Sequence, residues 1–302
     1  EIGCGDGFFL KVLSSFGAKA IGFEPSSTFQ IAKSQPGIEV HQGYFDFQGN
    51  LKLTSRVDLV VMRHVLEHLA SPKEVMHSLR AKSLGERGPQ FLFLEVPNVF
   101  QLLQDRLYFD FYNDHIHYFS HGSLAGLLRS TGWVPVARTQ GRGEFLGLIS
   151  ANTDYEDENP TGLENTAVSA ERESIATIAE GFRGDFDRWK SQLMNIVNAC
   201  HYDGQRLAVW GAGARGVSLL SGLGLLQDTF CYIVDSDTNK HGKYLPMIHL
   251  PVRSPGCLRQ EPPDYILVTS YTYFNEIFSQ LDWFRSAGGK VIRAYPIPEV
   301  VT

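Results

Sequence analysis

No cysteine pair in this chain has the close spacing that grips a zinc ion or staples a small secreted fold. The four cysteines, Cys4, Cys200, Cys231 and Cys257, are scattered singly, which excludes a zinc knuckle and a disulfide framework and fits a reducing cytoplasm. No apolar run approaches the ~20 residues a membrane-spanning helix needs. Positive charge is not in excess either: the formal net charge is −6, so nothing electrostatic invites nucleic acid or an anionic membrane. The chain also lacks an initiator methionine and a signal peptide. It opens on Glu1-Ile2-Gly3, the end of a strand and the start of a glycine turn, and reads as a piece whose upstream part is absent.

What is present is an ordinary globular balance, 43% hydrophobic and 20% charged over 302 residues. At roughly 150 residues per domain this suggests two cores. Residues 1–150 alternate strand-like and helix-like segments. Strands are expected at Ala18–Glu24, Ile38–Tyr44, Val57–Met62, Gln90–Val96, Val134–Thr139 and Glu144–Ser150, with helices such as Phe8–Phe16 and Pro72–Ala81 between the earlier ones. Such alternation predicts a mostly parallel sheet covered on both faces. The last two strands, parted only by Gln140–Gly143, predict an antiparallel hairpin.

Residues 151–165 are acidic and aperiodic and read as a linker. From 166 to 200, Ile175, Ile178, Phe182, Phe186, Trp189, Leu193 and Ile196 recur at threes and fours, the mark of an amphipathic helix that docks on a domain or on a second copy. A second alternation fills 205–302: strand Arg206–Trp210, a glycine turn, helix Val217–Leu223, strand Cys231–Val234 ending at Asp235, then strands Tyr265–Thr269 and Lys290–Arg293. The division expected is therefore 1–150, a linker and helix over 151–204, and a smaller α/β domain over 205–302.

The first glycine turn, Glu1-Ile2-Gly3-Cys4-Gly5-Asp6-Gly7, runs into a helix. Its glycines let the backbone turn sharply and let a ligand approach without Cβ atoms in the way. The helix behind it offers unpaired N–H groups and partial positive charge. The next strand ends at Glu24, where a carboxylate can accept both ribose hydroxyls of an adenosine. The acidic residue ahead of the glycines, together with Val57-Asp58-Leu59-Val60-Val61-Met62-Arg63-His64-Val65-Leu66-Glu67-His68-Leu69, resembles the class I S-adenosylmethionine-dependent methyltransferases. That resemblance implies a Rossmann-like sheet, S-adenosyl-L-methionine as cofactor, and Glu1, Gly3, Gly5, Gly7 and Glu24 around it. It also suggests Tyr44 and Phe45 near the adenine, with core aromatics as the alternative, and a fourth strand running into a helix after Met62. His64, one turn before His68, is a cofactor-side candidate or a structural histidine.

Further segments narrow the resemblance. They are Glu95-Val96-Pro97-Asn98, Tyr112-Asn113-Asp114-His115-Ile116-His117-Tyr118-Phe119-Ser120, and in the last hundred residues Val209–Gly216, Val234–Pro246 and Pro263–Val268. Together they resemble the sugar C-methyltransferases, which methylate carbon 3 of nucleotide-linked 4-keto deoxysugars. Members carry an appended Rossmann-like C-terminal domain and an N-terminal zinc domain, and no zinc domain is part of this sequence. The resemblance implies His115, Tyr112, Asp114 and His68 as catalytic residues and a nucleotide-sugar as the small-molecule partner. The chemistry agrees. A ketosugar carbon becomes nucleophilic only when a base removes its proton and a donor steadies the enolate oxygen. Histidine suits the base, a phenol suits the enolate, and a carboxylate can orient an imidazole. No metal is required. Asp114 stands where relatives often have Glu, and Gly143-Glu144-Phe145-Leu146 departs from their arginine-containing strand near the sugar. His117 is read as facing away from His115 or packing structurally.

The second glycine turn, Gly211-Ala212-Gly213-Ala214-Arg215-Gly216, with Asp235 ending the next strand, is by mechanism a competent dinucleotide site. The family resemblance implies instead a domain that helps enclose the nucleotide-sugar without NAD. An O- or N-methyltransferase, and a non-catalytic binding protein, stay open as other functions. The sequence leaves the oligomeric state open.

Overall fold

The computed structural model describes residues 1–46, 56–83, 88–139, 143–152, 165–225 and 227–301. The chain forms two compact units, one of Glu1–Gln101 and Asn113–Ile175, the other of Leu102–Tyr112 and Ala176–Thr302.

In the first unit the strands are β1 (Ala20–Glu24), β2 (Ile38–Gln42), β3 (Leu59–Arg63), β4 (Phe91–Pro97), β5 (Trp133–Thr139) and β6 (Phe145–Asn152). β1 pairs in parallel with β2, and β3 with β4. Ile2 bridges Phe23 of β1 and Met62 of β3 in parallel, so the sheet reads β2-β1-Ile2-β3-β4-β6-β5. The expected antiparallel hairpin is present, with β6 lying between β4 and β5. Strand order reverses on either side of Ile2, which puts the first glycine turn at the switch point where open α/β sheets bind ligands. This is the Rossmann-like sheet that the alternation of strands and helices predicts. The helices α1 (Phe8–Ser15), α2 (Phe29–Lys33), α3 (Pro72–Ser83), α4 (Val99–Gln104) and α5 (His121–Ser130) follow. The core of this unit includes Met62, Leu66, Met76, Leu92, Leu94, Leu124, Leu128 and Trp133. Trp133 is fully buried, and its indole N–H donates to the Met76 carbonyl at 3.2 Å.

One expectation changes here. The helix predicted after β3 is a single 3₁₀ turn, Leu66–His68, and α3 begins only at Pro72. His64 sits before that turn in the left-handed region, φ 54°, so His64 and His68 do not share a helix face. Proline restricts the backbone just before it and starts α3 afresh at its first turn, the place where a missing N–H costs nothing.

α6 (Asn165–Tyr202) is longer than its apolar stripe announced. Trp189, Leu193, Val197 and Cys200 of α6 are buried in the core of the second unit, with Phe182, Phe186 and Ile196 packed against it. The Trp189 indole donates to the Ala294 carbonyl at 2.8 Å. The acidic stretch read as a linker lies, from 153 to 164, outside the described residues, as do 140–142 of the hairpin tip.

The strands of the second unit are β7 (Leu207–Trp210), β8 (Ile233–Val234), β9 (Val252–Arg253), β10 (Tyr265–Val268), β11 (Lys290–Arg293) and β12 (Glu299–Val301). Their order is β12-β11-β10-β7-β8-β9, all neighbours parallel except β11 with β12. The second glycine turn follows β7 and leads into α7 (Ala214–Gly222). It too lies at a switch point, between β8 and β10. Among the described residues no helix is long and apolar enough to cross a membrane.

Candidate active site

The first glycine turn is built for close approach. Gly3 has φ 71°, and a Cβ there would lie 2.5 Å from the Val65 side chain. Gly7 has φ 80°, and a Cβ there would lie 2.8 Å from Ile38. A side chain at either position meets strain and collision together. Glu24 ends β1, nearly buried, and ties the turn: one carboxylate oxygen accepts the Gly5 N–H at 2.8 Å and the other the Ser26 N–H at 2.8 Å. Each oxygen keeps a further lone pair for a ribose hydroxyl. Burial pushes the Glu1 carboxyl up to about 7, and its Oε2 is shut from solvent with no hydrogen-bond partner. A buried acceptor left unpaired is costly until a donor or cation reaches it. The residues therefore fit S-adenosylmethionine, with Glu1 suited to the cationic methionine end and Glu24 to the ribose. Phe45 packs edge-on against Phe23, ring centroids 5.1 Å apart, whereas Tyr44 stands 88% exposed.

Beside the turn, the C-terminal ends of β3 and β4 gather ionisable side chains. His64 lies between two carboxylates, Nδ1 3.7 Å from Glu67 and Nε2 3.4 Å from Glu95. Burial opposes its charge, but Glu67 and Glu95 outweigh burial and lift the imidazole to about 9. Arg63 completes the group at 2.9 Å from Glu95. His64, Arg63 and burial act on Glu95 together: the His64 bond first, then burial against it, then Arg63, leaving its carboxyl below the usual range. The His64 ring also meets Phe145 edge-on at 4.6 Å.

Backbone hydrogen bonds bring the second cluster in. The Glu67 carbonyl accepts the N–H groups of Ile116 at 3.0 Å and His117 at 3.1 Å. Phe119 bridges Asn98 at the end of β4, and Ser120 caps α5 in a capping box with Ser123. Glu171 secures that cap, accepting from the Ser120 hydroxyl at 2.8 Å and the Gly122 N–H at 2.7 Å. The stretch from Ile116 to Gly122 is thus pinned, and just before it His115 meets His68 edge-on with ring centroids 4.8 Å apart. His68 Nδ1 faces the Asp114 main-chain carbonyl at 2.8 Å, with the Asp114 carboxylate at 3.7 Å and largely exposed. Asp114 thus contacts His68 and also acts electrostatically on His115. Burial pulls the His115 imidazole below its ordinary range, His68 and His64 push the same way, and Glu67 and Asp114 oppose them. Tyr112 belongs to the second unit, where its hydroxyl lies 3.4 Å from the Asp110 carboxylate. Asp110 also takes Arg215, the residue opening the second glycine helix, in a two-pronged ion pair. His117 lies beside Phe119, centroids 6.2 Å apart.

Two functional-looking groups escaped the sequence reasoning. Glu67 is 1% exposed, and one ligand-type atom each of Glu67, His68 and His115 lie within 4.8 Å of one another, the one such cluster among the described residues. An acid inside the apolar run Leu66–Leu69, three residues after a histidine, was the available signal. The Asp110–Arg215 pair had none, because 105 residues separate its members.

These features define an α/β methyltransferase with an attached second Rossmann-like unit, and comparison with known proteins agrees. Residues 1–138 match the methyltransferase domain model, and residues 149–298 match the C-methyltransferase C-terminal domain model. The chain belongs to the S-adenosylmethionine-dependent C-methyltransferases. It is similar to C-methyltransferase NovU of Streptomyces niveus, 26% identical over 309 aligned residues that take in all of this chain and 73% of that protein. Among solved structures it overlays in part on a Pyrococcus horikoshii OT3 protein, 15% identical with TM-score 0.40, covering 50% of this chain and 79% of that one. Magnesium protoporphyrin IX methyltransferase from Synechocystis PCC 6803, with bound SAH, is 16% identical with TM-score 0.37, covering 50% of this chain and 71% of that one. Overlays this loose are no basis for function.

Proposed function

We propose that this enzyme methylates carbon 3 of a nucleotide-diphosphate-linked 4-keto deoxysugar through an enolate, as a cytoplasmic biosynthetic enzyme. The observation that carries the reading is His115 beside His68 at the C-terminal edge of the sheet. Burial lowers the His115 pKa, so at neutral pH the ring is uncharged and can accept a proton. His115 takes the proton from the carbon, and the electron pair of that C–H bond passes into the enolate. Tyr112 is assigned to the enolate oxygen as donor. His68, whose Nδ1–H donates to the Asp114 carbonyl, keeps Nε2 as an acceptor and is the reserve base. S-adenosylmethionine supplies the methyl group when bound, with Glu24 assigned to its ribose and Glu1 to its cationic end.

Deuterium exchange tests this. The full chain is mixed with a thymidine-diphosphate 4-keto-6-deoxyhexose in deuterated water, with S-adenosylhomocysteine in place of the methyl donor, and the carbon-3 proton is followed by NMR. Wild type should wash deuterium into that position and His115→Ala should not. Equal exchange by both moves the base to His68. No exchange, with methylation of a hydroxyl once S-adenosylmethionine is supplied, replaces the carbon acceptor by oxygen.

A further inference from the structure

Glu67 has no part in the chemistry described so far, yet its position is an expensive one. It is 1% exposed, and both carboxylate oxygens are shut from solvent without a hydrogen bond. A dry carboxylate stays ionised only beside positive charge. His64 provides it from one side at 3.7 Å. On the other side a Glu67 oxygen comes within 4.8 Å of a ring nitrogen of His115 and of His68. That approach is not left to side-chain chance, because the Glu67 carbonyl accepts two backbone N–H groups from the residues directly after His115. The main chain of the acid is thus bonded to the residues that follow the imidazole, which holds the two backbones side by side.

We propose that Glu67 is a positioning residue whose buried carboxylate orients His115 and holds the imidazolium it becomes on taking the substrate proton. This rests on the reading of His115 as the base. In the step, the carbon–hydrogen bond breaks, its electron pair enters the enolate, and the proton forms an N–H bond on His115. Glu67 takes no proton. The attraction exists only after transfer, so it favours the charged state over the resting one, which is what accelerates a step. The groups facing His115 are Glu67, His68, Asp114 and, further off, His64. Glu95 and Arg63 stand behind His64.

The test separates this role from packing. In the free full chain, the His115 ring resonances are titrated by NMR in wild type, Glu67→Gln and Glu67→Asp. An opposite charge at this range typically moves a pKa by about one to three units. Loss of the Glu67 charge should therefore shift the His115 titration downward by about one pH unit or more, with Asp restoring much of it. A titration unmoved in Glu67→Gln overturns the proposal. Should Glu67→Gln not fold, wild type alone decides: the Glu67 carboxyl carbon must shift in the pH range where His115 titrates and stop doing so in His115→Ala, and an indifferent carbon overturns the proposal. In the deuterium-exchange assay, Glu67→Gln should exchange about tenfold more slowly, with the acid limb of its pH profile moved to lower pH. A slower rate with an unmoved limb means a structural role and overturns it. Exchange abolished by EDTA and restored by Zn²⁺ would make the trio a metal site and overturn it as well. No exchange by wild type sinks the base assignment, and the NMR titration still reports on Glu67 and His115 independently.

Discussion

The two units contain the same device and spend it differently. In each, a carboxylate at the end of the second strand reaches back to pin the glycine turn: Glu24 takes the Gly5 N–H in the first, Asp235 the Ala212 N–H at 2.7 Å in the second. In the first unit that leaves capacity over, in the remaining lone pairs of Glu24 and the unpartnered Glu1 oxygen. In the second less is left, because Asp235 Oδ2 already holds two donors and only Oδ1 keeps a further lone pair. Asp235 also accepts the Asp237 N–H at 2.8 Å and the Lys240 ammonium at 3.1 Å. Burial alone would raise its carboxyl, but those donors hold it below the usual range. Arg215, at the head of the second glycine helix, is bound to Asp110. A glycine turn with an acid behind it is thus a way of building a switch point, and only the leftover polar groups say whether a ligand is expected there.

The comparison breaks most sharply at the chemistry, which the reading puts on the first unit's sheet edge. His115→Ala should lose roughly 10²–10⁴ in turnover, the usual worth of a general base, while calorimetry finds cofactor affinity unchanged. Full turnover by the variant would remove His115 from the mechanism. Next in size are the paired acids. Glu24→Ala should weaken S-adenosylmethionine by ~1–3 kcal/mol, the scale of lost charge-assisted hydrogen bonds. Asp235→Ala should leave that affinity alone and instead lower the melting temperature, because three donors lose their acceptor. Equal effects of the two variants on cofactor binding would erase the distinction between the units.

Both sheets, both glycine turns and the long amphipathic helix were legible because period and punctuation are local: Phe186, Trp189 and Leu193 repeat on one face, and Glu24 and Asp235 follow their turns at strand length. The site was legible only as a list. That β6 sits inside the sheet depends on pairing with β4, 50-odd residues earlier in the chain, which no local pattern encodes. The break after β3 was hidden by an apolar run that suits a helix equally well. Local spacing gave no sign that His68, 46 residues away, meets the Asp114 carbonyl. Glu67 looked like one polar position of a helix and is instead buried against three imidazoles.

Smaller than a deleted acid is a change of pH, and it sharpens what Glu1 contributes. In the free protein burial holds the Glu1 carboxyl at about 7, and a cationic ligand beside it would lower that value. Binding therefore favours the ionised form: affinity should be flat above pH ~7 and fall about tenfold per unit below it, since each bound cofactor must then displace one proton. Glu1→Gln should flatten the profile. A wild-type affinity that does not change between pH 8 and pH 5.5 would take Glu1 out of the cofactor site.

The smallest expected effect is none, and it concerns the second turn. A cavity of about 440 Å³ lies over it, lined among others by Trp210, Gly211, Arg215, Asp235, Lys240 and Thr269, so room for a ligand exists. A dinucleotide needs the strand-end acid free for its ribose hydroxyls. Here Lys240 sits on that acid, and displacing it would leave an ammonium and a nearly buried carboxylate to find new partners. Protein denatured after purification should accordingly release no nicotinamide nucleotide on chromatography, and millimolar NAD should leave the melting temperature where it was, because a ligand that binds the native state raises stability by mass action. Lys240→Ala sharpens the point, since it frees Asp235 without touching the glycines. A rise in melting temperature with NAD in the variant alone would show that the lysine is what closes the site. Saturable stabilisation of wild type, or stoichiometric nicotinamide released from it, would show that the second turn takes a dinucleotide with the lysine in place on its acid.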